Sequence, residues 1–340
     1  MALSAPAKAN RASPVGSLVA RAARSRELTL AGVLIVMATL VAIAAPNFLS
    51  PTNVVAVTAL AAIIAIAAVG EAFVIITKNI DLSVESTIGL VAFAVALLLK
   101  QGTPIPIAWV IGVGLGLALG MSNGIIVTVF KVPSIVATLG TLSLFRGLTY
   151  LIANGHEVNA NDLPAGYTQP ASQTFFGLPL FVIVAVVVVV SAALVLRYAV
   201  IGRQFYAVGS NAEAAATIGI RSRATVFWAF AVSGMLAGVA GVLWGIQYGQ
   251  LYASSASGQS LAVIAAVVVG GVSISGGSGT VIGAAIGALF LGLINNALNV
   301  LVLPQEWLQL IYGAVILFAV SADVLIQVRA QRAKARSRVR

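Results

Sequence analysis

"GSNAEAAATIGIRSR", Gly209 to Arg223, stands between two long apolar runs, 178–196 and 225–247. Taken alone it spells a short soluble helix. Asn211 suits an N-cap, the alanines around Glu213 (Ala212, Ala214, Ala215, Ala216) are strong helix formers, and Gly219 suits a stop. Such a helix is a poor membrane anchor, because its amphipathic moment is weak. Its small side chains make it a good connector, able to seat in a partner's groove. What this helix does depends on what the chain on either side of it is.

The flanking chain is too apolar for water. Of 340 residues, 60% are hydrophobic and only 8% charged, with a mean hydropathy of +1.06. A soluble domain built from this composition would expose one continuous apolar surface. The apolar runs are continuous and about 18 to 25 residues long, which fits helices crossing a bilayer and not the short alternating strands of a barrel. The expectation is an all-α polytopic membrane protein. Ten spans are read at 28–45, 54–77, 84–99, 106–129, 134–153, 178–196, 225–247, 260–272, 280–302 and 307–327, with 84–99 and 260–272 short for the hydrocarbon core.

Charge sets the expected orientation. Fifteen of the nineteen basic residues lie in three places. These are the N-tail 1–27 (Lys8, Arg11, Arg21, Arg24, Arg26), the loop 197–224 (Arg197, Arg203, Arg221, Arg223), and the C-tail 329–340 (Arg329, Arg332, Lys334, Arg336, Arg338, Arg340). Lysine and arginine collect on the cytoplasmic side, so the net charge of +10 marks membrane orientation and anionic lipid, not nucleic acid. Both termini and the Glu213 helix are expected inside. The loop 154–177, which has Glu157 and Asp162 but no lysine or arginine, is expected outside, and Lys100 alone breaks the rule. The first apolar run ends at "APNFLS" with no small-x-small cleavage site, so no cleaved signal peptide is expected.

Polar groups inside apolar runs mark a pathway or a structural contact. "VGEAFVIITKNIDLSVESTIGL" places Glu71 within a span and Asp81 and Glu85 at the break before a short helix. Asp81 and Ser83 both suit a cap for that helix. Glu71 must face the bundle interior, hold a proton, or pair with a group such as Lys78 or Arg146. Arg146 lies within a stripe of Thr138, Thr141 and Thr149 with Gly140 and Gly147, suited to close helix packing. "VVVGGVSISGGSGTVIGAAIGALFLGLINNALNVL" breaks a helix at Gly270–Gly271 and Gly276–Gly277, with Ser273 and Ser275 between them. Irregular backbone at membrane depth is tolerated where it is buried or lines a cavity, as in the broken helices of transporters. Asn295, Asn296 and Asn299 follow, with amides able to meet sugar hydroxyls or each other. The expected pathway set is Glu71, Asp81, Ser83, Ser273, Ser275, Asn295 and Asn299.

Catalytic chemistry is missing from the sequence. It has no phosphate loop, no H-E-x-x-H, no nucleophile elbow and no cysteine, and its single histidine, His156, cannot form a metal cluster. No catalytic residue, metal or cofactor of its own is expected. Uphill transport would draw on another protein's ATPase or on an ion gradient through Glu71 and Asp81.

The motifs then converge on a family. "EAAATIGI" (Glu213–Ile220) resembles the EAA loop of ABC importer permeases, the coupling helix that docks on a separate ATPase. It sits inside "GRQFYAVGSNAEAAATIGI", which is similar to a signature of the ribose/xylose/arabinose/rhamnose permease family. "NIDLSV", "VPSIVATLGTLSLFRGL", "VIAAVVVGGVSISGGSG", "NNALNVL" and "AVSAD" match further family motifs in order, over roughly residues 30 to 325. Within the family the chain is most similar to rhamnose and quorum-signal furanose permeases. The resemblance implies a type II (vitamin-B-twelve-importer-like) ABC permease of ten spans in a bacterial inner membrane. It implies a second permease copy or paralogue, a partner ATPase that binds ATP and Mg, and a periplasmic sugar-binding protein. Carried onto this chain, the ATPase-coupling residues are Arg203, Asn211, Glu213, Ala214, Ala215 and Gly219. The chain departs from the family pattern at Lys78–Asn79, at Glu85 (a usual Gly or Ala), at Asn296 (a usual Gly) and at Glu71 (commonly Gln).

Overall fold

The computed structural model describes residues 26–318, 320 and 321. Most of the expected basic N-tail 1–27, all of the C-tail 329–340 and the end of the expected span 307–327 lie outside the described residues. Twelve α-helices run in the order α1 (Arg26–Ala44), α2 (Pro51–Ile76), α3 (Val84–Lys100), α4 (Ile105–Thr128), α5 (Ser134–Ala153), α6 (Leu180–Tyr198), α7 (Val200–Ser210), α8 (Ala212–Thr217), α9 (Ser222–Tyr248), α10 (Gln259–Val269), α11 (Val281–Val300) and α12 (Glu306–Phe318).

Seven of these are long and apolar enough to cross a membrane: α1, α2, α4, α5, α6, α9 and α11. The other three expected spans correspond to the shorter helices α3, α10 and α12. The two helices expected to be short are so for a physical reason. Both begin inside the bundle, where the chain enters as irregular backbone.

The core is built around α2. Every residue from Ala61 to Ile76 is buried, as befits a helix apolar on all sides. α11 and α9 pack along it, and α1 closes over α11 through Val41, Phe48, Leu293 and Ala297. α4 and α9 approach more closely than ordinary side chains allow. A Cβ on Gly116 would lie 2.5 Å from the Gly234 carbonyl oxygen, and one on Gly120 would lie 2.4 Å from that of Phe230. Membrane helices gain stability from such backbone proximity, because lipid offers no hydrophobic drive between them.

Two ends can be told apart by contact. The lower end holds α7, α8 and the loop after α10. The upper end holds residues 154–179, which add to the expected all-α fold a two-stranded hairpin, Thr174–Phe175 against Leu178–Pro179, and two 3-10 turns. This loop is pinned by a bridge between Val158 and Leu251 and by the buried Tyr167. Lys100, the exception to the charge rule, is explained here: its ammonium lies 3.1 Å from Asp162 of the same loop.

Candidate functional site

At the lower end, local sequence builds a projecting knuckle. The Asn211 side chain accepts from the Ala214 amide at 3.0 Å and starts α8. At the other end, the amides of Gly219 and Ile220 return to the carbonyls of Ala216 and Ala215, which requires the positive φ of +84° that Gly219 supplies. Glu213, Ala214, Ala216 and Thr217 are exposed, and Ile218 is 75% exposed. Ala215 is the exception at 3%: it faces this chain and anchors the helix to its own body. Arg203 is exposed on α7, its guanidinium donating to the Tyr198 carbonyl at 3.4 Å.

The knuckle is joined rigidly to the bundle. α7, which the sequence reading left inside a loop, ends at a three-way junction with the C-terminus of α2 and the loop after α10. The Gly277 amide donates to the Ile76 carbonyl at 2.9 Å, and the Tyr206 hydroxyl donates to the Gly279 carbonyl at 2.9 Å. A Cβ on Gly209 would lie 1.7 Å from the Ile76 oxygen, and Phe205 meets Phe73 edge-on at 5.3 Å. Gly276 and Gly277 both have positive φ, which lets the loop lie flat against Gly209 and Ser210. Gly270 packs on Gly283, and Gly271 turns the chain with φ +89°. Beside α8 opens a cleft of about 650 Å³ whose charged lining is Lys78, Lys131, Arg223 and Glu213.

Deeper in, a polar seam runs through the bundle. After α2 the segment 77–83 turns back, and the Asp81 amide donates to Glu71 Oε1 at 3.0 Å. Asp81 Oδ1 accepts from the amide of Ser83 at 2.9 Å and from its hydroxyl at 2.6 Å. Asp81 thus closes a turn before α3, while Ser83, the residue at the cap position, makes no side-chain capping bond. Asn123 of α4 donates to Ser83 Oγ at 2.7 Å. From above, residues 249–258 descend to the start of α10. That helix of 11 residues is about 16 Å long, roughly half of a hydrocarbon core of about 30 Å.

The two half-helix starts cap each other. Ser260 Oγ donates to the Leu82 carbonyl at 2.7 Å and accepts from the Glu85 amide at 3.2 Å. Glu85 Oε2 accepts from the amides of Gly258 at 2.9 Å and Ser260 at 3.2 Å. Glu85 Oε1 lies 3.6 Å from Arg146, whose Nη1 donates to the carbonyls of Ala253 and Ser255. Arg146 thus ties the segment 253–255 to α5, and its acidic partner is Glu85. Glu71 forms an ion pair with neither Arg146 nor Lys78 among the described residues.

The expected pathway residues are not gathered in one place. Glu71, Asp81 and Ser83 share the seam, and Ser273 and Ser275 lie in the lower loop. Asn295 is 14 residues along α11 from Val281, about 21 Å higher. There the amides serve one another: Asn299 donates to Asn295 at 3.1 Å, and Asn296 and Asn53 exchange bonds at 2.8 and 3.0 Å. Sequence reading passed over Asn53, Asn123, Glu85 as a capping group, and Ser260. The visible signal was an amide inside an apolar run, as in "MSNGII".

The sequence profile described as branched-chain amino acid transport system / permease component matches residues 53–320. The autoinducer 2 import system permease protein LsrC of Salmonella paratyphi B is 37% identical over 265 residues, covering 78% of this chain and 76% of its own. The protein of the same name from Escherichia coli O9:H4 is 38% identical over 256 residues, covering 75% and 74%. No solved structure matches. By the extent of the profile match and these identities, the chain belongs to the branched-chain amino acid transport system / permease component family.

Proposed function

We propose that this chain is the membrane-spanning subunit of an ATP-driven importer for a small sugar-like ligand. Family members are transport subunits, and the relatives carry the name of autoinducer 2 import permeases, which supports a furanose or related uncharged, hydroxyl-rich cargo. The knuckle carries the reading. α8 presents Glu213, Ala214 and Ala216 outward while Ala215 and the Gly209–Ile76–Gly277 junction fix it to α2 and to the loop between α10 and α11. A push on α8 must move both.

In this reading a separate ATPase binds nucleotide and Mg and grips α8 with the adjoining cleft, in which Lys78, Lys131 and Arg223 offer charge. A periplasmic binding protein docks at the upper loop, and a second permease copy or paralogue completes the pathway. The chain lies in a bacterial inner membrane with the knuckle and both termini in the cytoplasm. The alternative, a secondary transporter coupled to an ion through Glu71 and Asp81, draws on the burial of both carboxylates.

The sequence has no cysteine, so single substitutions give clean cross-linking probes. Glu213→Cys and Ala216→Cys are expected to cross-link to the co-expressed ATPase, and Ala215→Cys is not. Equal labelling of all three, or of none, would sink the docking geometry.

A further inference from the structure

The seam contains two buried carboxyl groups that no cationic side chain among the described residues balances. Glu71 is fully buried and Asp81 is 2% exposed, and neither forms an ion pair among the described residues. Asp81 is supported by three donors: the amide and hydroxyl of Ser83 and, at 3.5 Å, the Asn123 amide group. Glu71 has one, the Asp81 amide on Oε1, and its Oε2 is buried with no partner. Asn123 Oδ1 is likewise buried and unpartnered. An isolated carboxylate in a low-dielectric interior is too costly to persist without a compensating positive charge.

Neighbouring elements do not supply that charge. Those packed on α2 bring Arg197 and Tyr198 from α6, Arg203 and Tyr206 from α7, and Arg223 and Tyr248 from α9, and none of them forms an ion pair or hydrogen bond with Glu71 among the described residues. α10 and α11 contain no titratable residue, and Lys78 is exposed. Among the titratable residues described, Asp81 is the one that hydrogen-bonds to Glu71, through its backbone amide. With two carboxylates and, among the described residues, no third His, Cys, Asp or Glu grouped with them, the donor set is not that of a transition-metal site.

We propose that Glu71, Asp81 and Asn123 form a buried site for one monovalent cation, a sodium ion or a proton, received at Glu71 Oε2. The shared chemistry is one positive charge offered to oxygen ligands from α2, the 77–83 turn and α4. Its consequence is mechanical, because the bound charge ties the turn that starts α3 to the central helix. The site does not depend on the importer reading, and its test needs no partner subunit.

The experiment is thermal unfolding of the purified full chain in detergent. Sodium is exchanged for choline at constant ionic strength, over a range of pH, for the wild type, Glu71→Gln and Asp81→Asn. Glu71→Gln keeps the shape of the neutral acid and is expected to fold. The wild type should gain stability with added sodium at constant pH, or with falling pH irrespective of sodium. The first result identifies sodium and the second a proton. Glu71→Gln should lose whichever dependence the wild type shows, while Asp81→Asn weakens it. The proposal is overturned if wild type and Glu71→Gln respond identically to both sodium and pH.

Discussion

Glu85 and Arg146, 3.6 Å apart and only 14% and 13% exposed, hold the two half-helices of the bundle to one another. Glu85 caps α10 from the first turn of α3, and Arg146 anchors the descending segment through Ala253 and Ser255. Gly89 makes room, since a Cβ there would lie 2.6 Å from the Ser255 carbonyl oxygen and 3.1 Å from Arg146 Nη1. Glu85→Ala removes a cap and strands a buried cation, which should cost about 2–3 kcal/mol. Arg146→Met should cost a similar amount. The double variant should lose less than the sum, by about 1–2 kcal/mol, in a detergent unfolding cycle. Strict additivity would show that the pair is not coupled.

The α4–α9 contact depends on the absence of side chains. Gly120→Val places carbon atoms where the α9 backbone runs, and should cost about 3 kcal/mol or abolish folded protein. Gly114→Val, on the same helix with open space around it, should be nearly neutral. Monodispersity and melting temperature of the two variants check the contrast.

The knuckle separates stability from coupling by residue. Glu213→Arg changes an exposed position and should leave the melting temperature unchanged while lowering coupled uptake at least tenfold. Ala215→Leu overfills a buried position and should cost about 1–3 kcal/mol, so its transport loss comes with lost stability. Gly219→Val forces a β-branched residue to positive φ and should cost about 1–2 kcal/mol. Parallel melting and uptake measurements distinguish the three.

The upper loop carries a pH dependence. The Asn159 amide first, and then the Lys100 ammonium, hold the Asp162 carboxyl below the usual aspartate range. The contribution of a group lowered on folding is complete above its unfolded value and disappears as pH falls through the lowered folded one. The protection of residues 159–163 from hydrogen exchange, taken relative to the intrinsic rate at each pH, should therefore hold down to about pH 4 and fall below it. Asp162→Asn should loosen the loop at neutral pH and remove the acid transition.

Much of this was legible in the sequence because membrane physics is simple. Continuous apolar runs marked the long helices within a few residues, and Asn211 and Gly219 marked both ends of α8. What escaped depends on long-range geometry. That Glu85 rather than Glu71 meets Arg146 follows from how deeply two irregular segments enter the bundle, which no local pattern encodes. Ala215 looked like its neighbours until packing turned it inward. The asparagines of α11 left a polar lining and bonding between helices both open, and in the fold they bond to Asn53, Gln305 and each other.

The coupling prediction rests on the proposed reading, in which the chain is a gate worked through α8 by a separate nucleotide-hydrolysing subunit. The direct measurement is uptake of labelled furanose ligand, presented outside on its binding protein, into proteoliposomes loaded with ATP. These are prepared with this chain and its permease partner alone, and again with the ATPase added. Accumulation should occur only when the ATPase is present and should vanish with Glu213→Arg. Accumulation without it, driven by a sodium or proton gradient, would contradict the account.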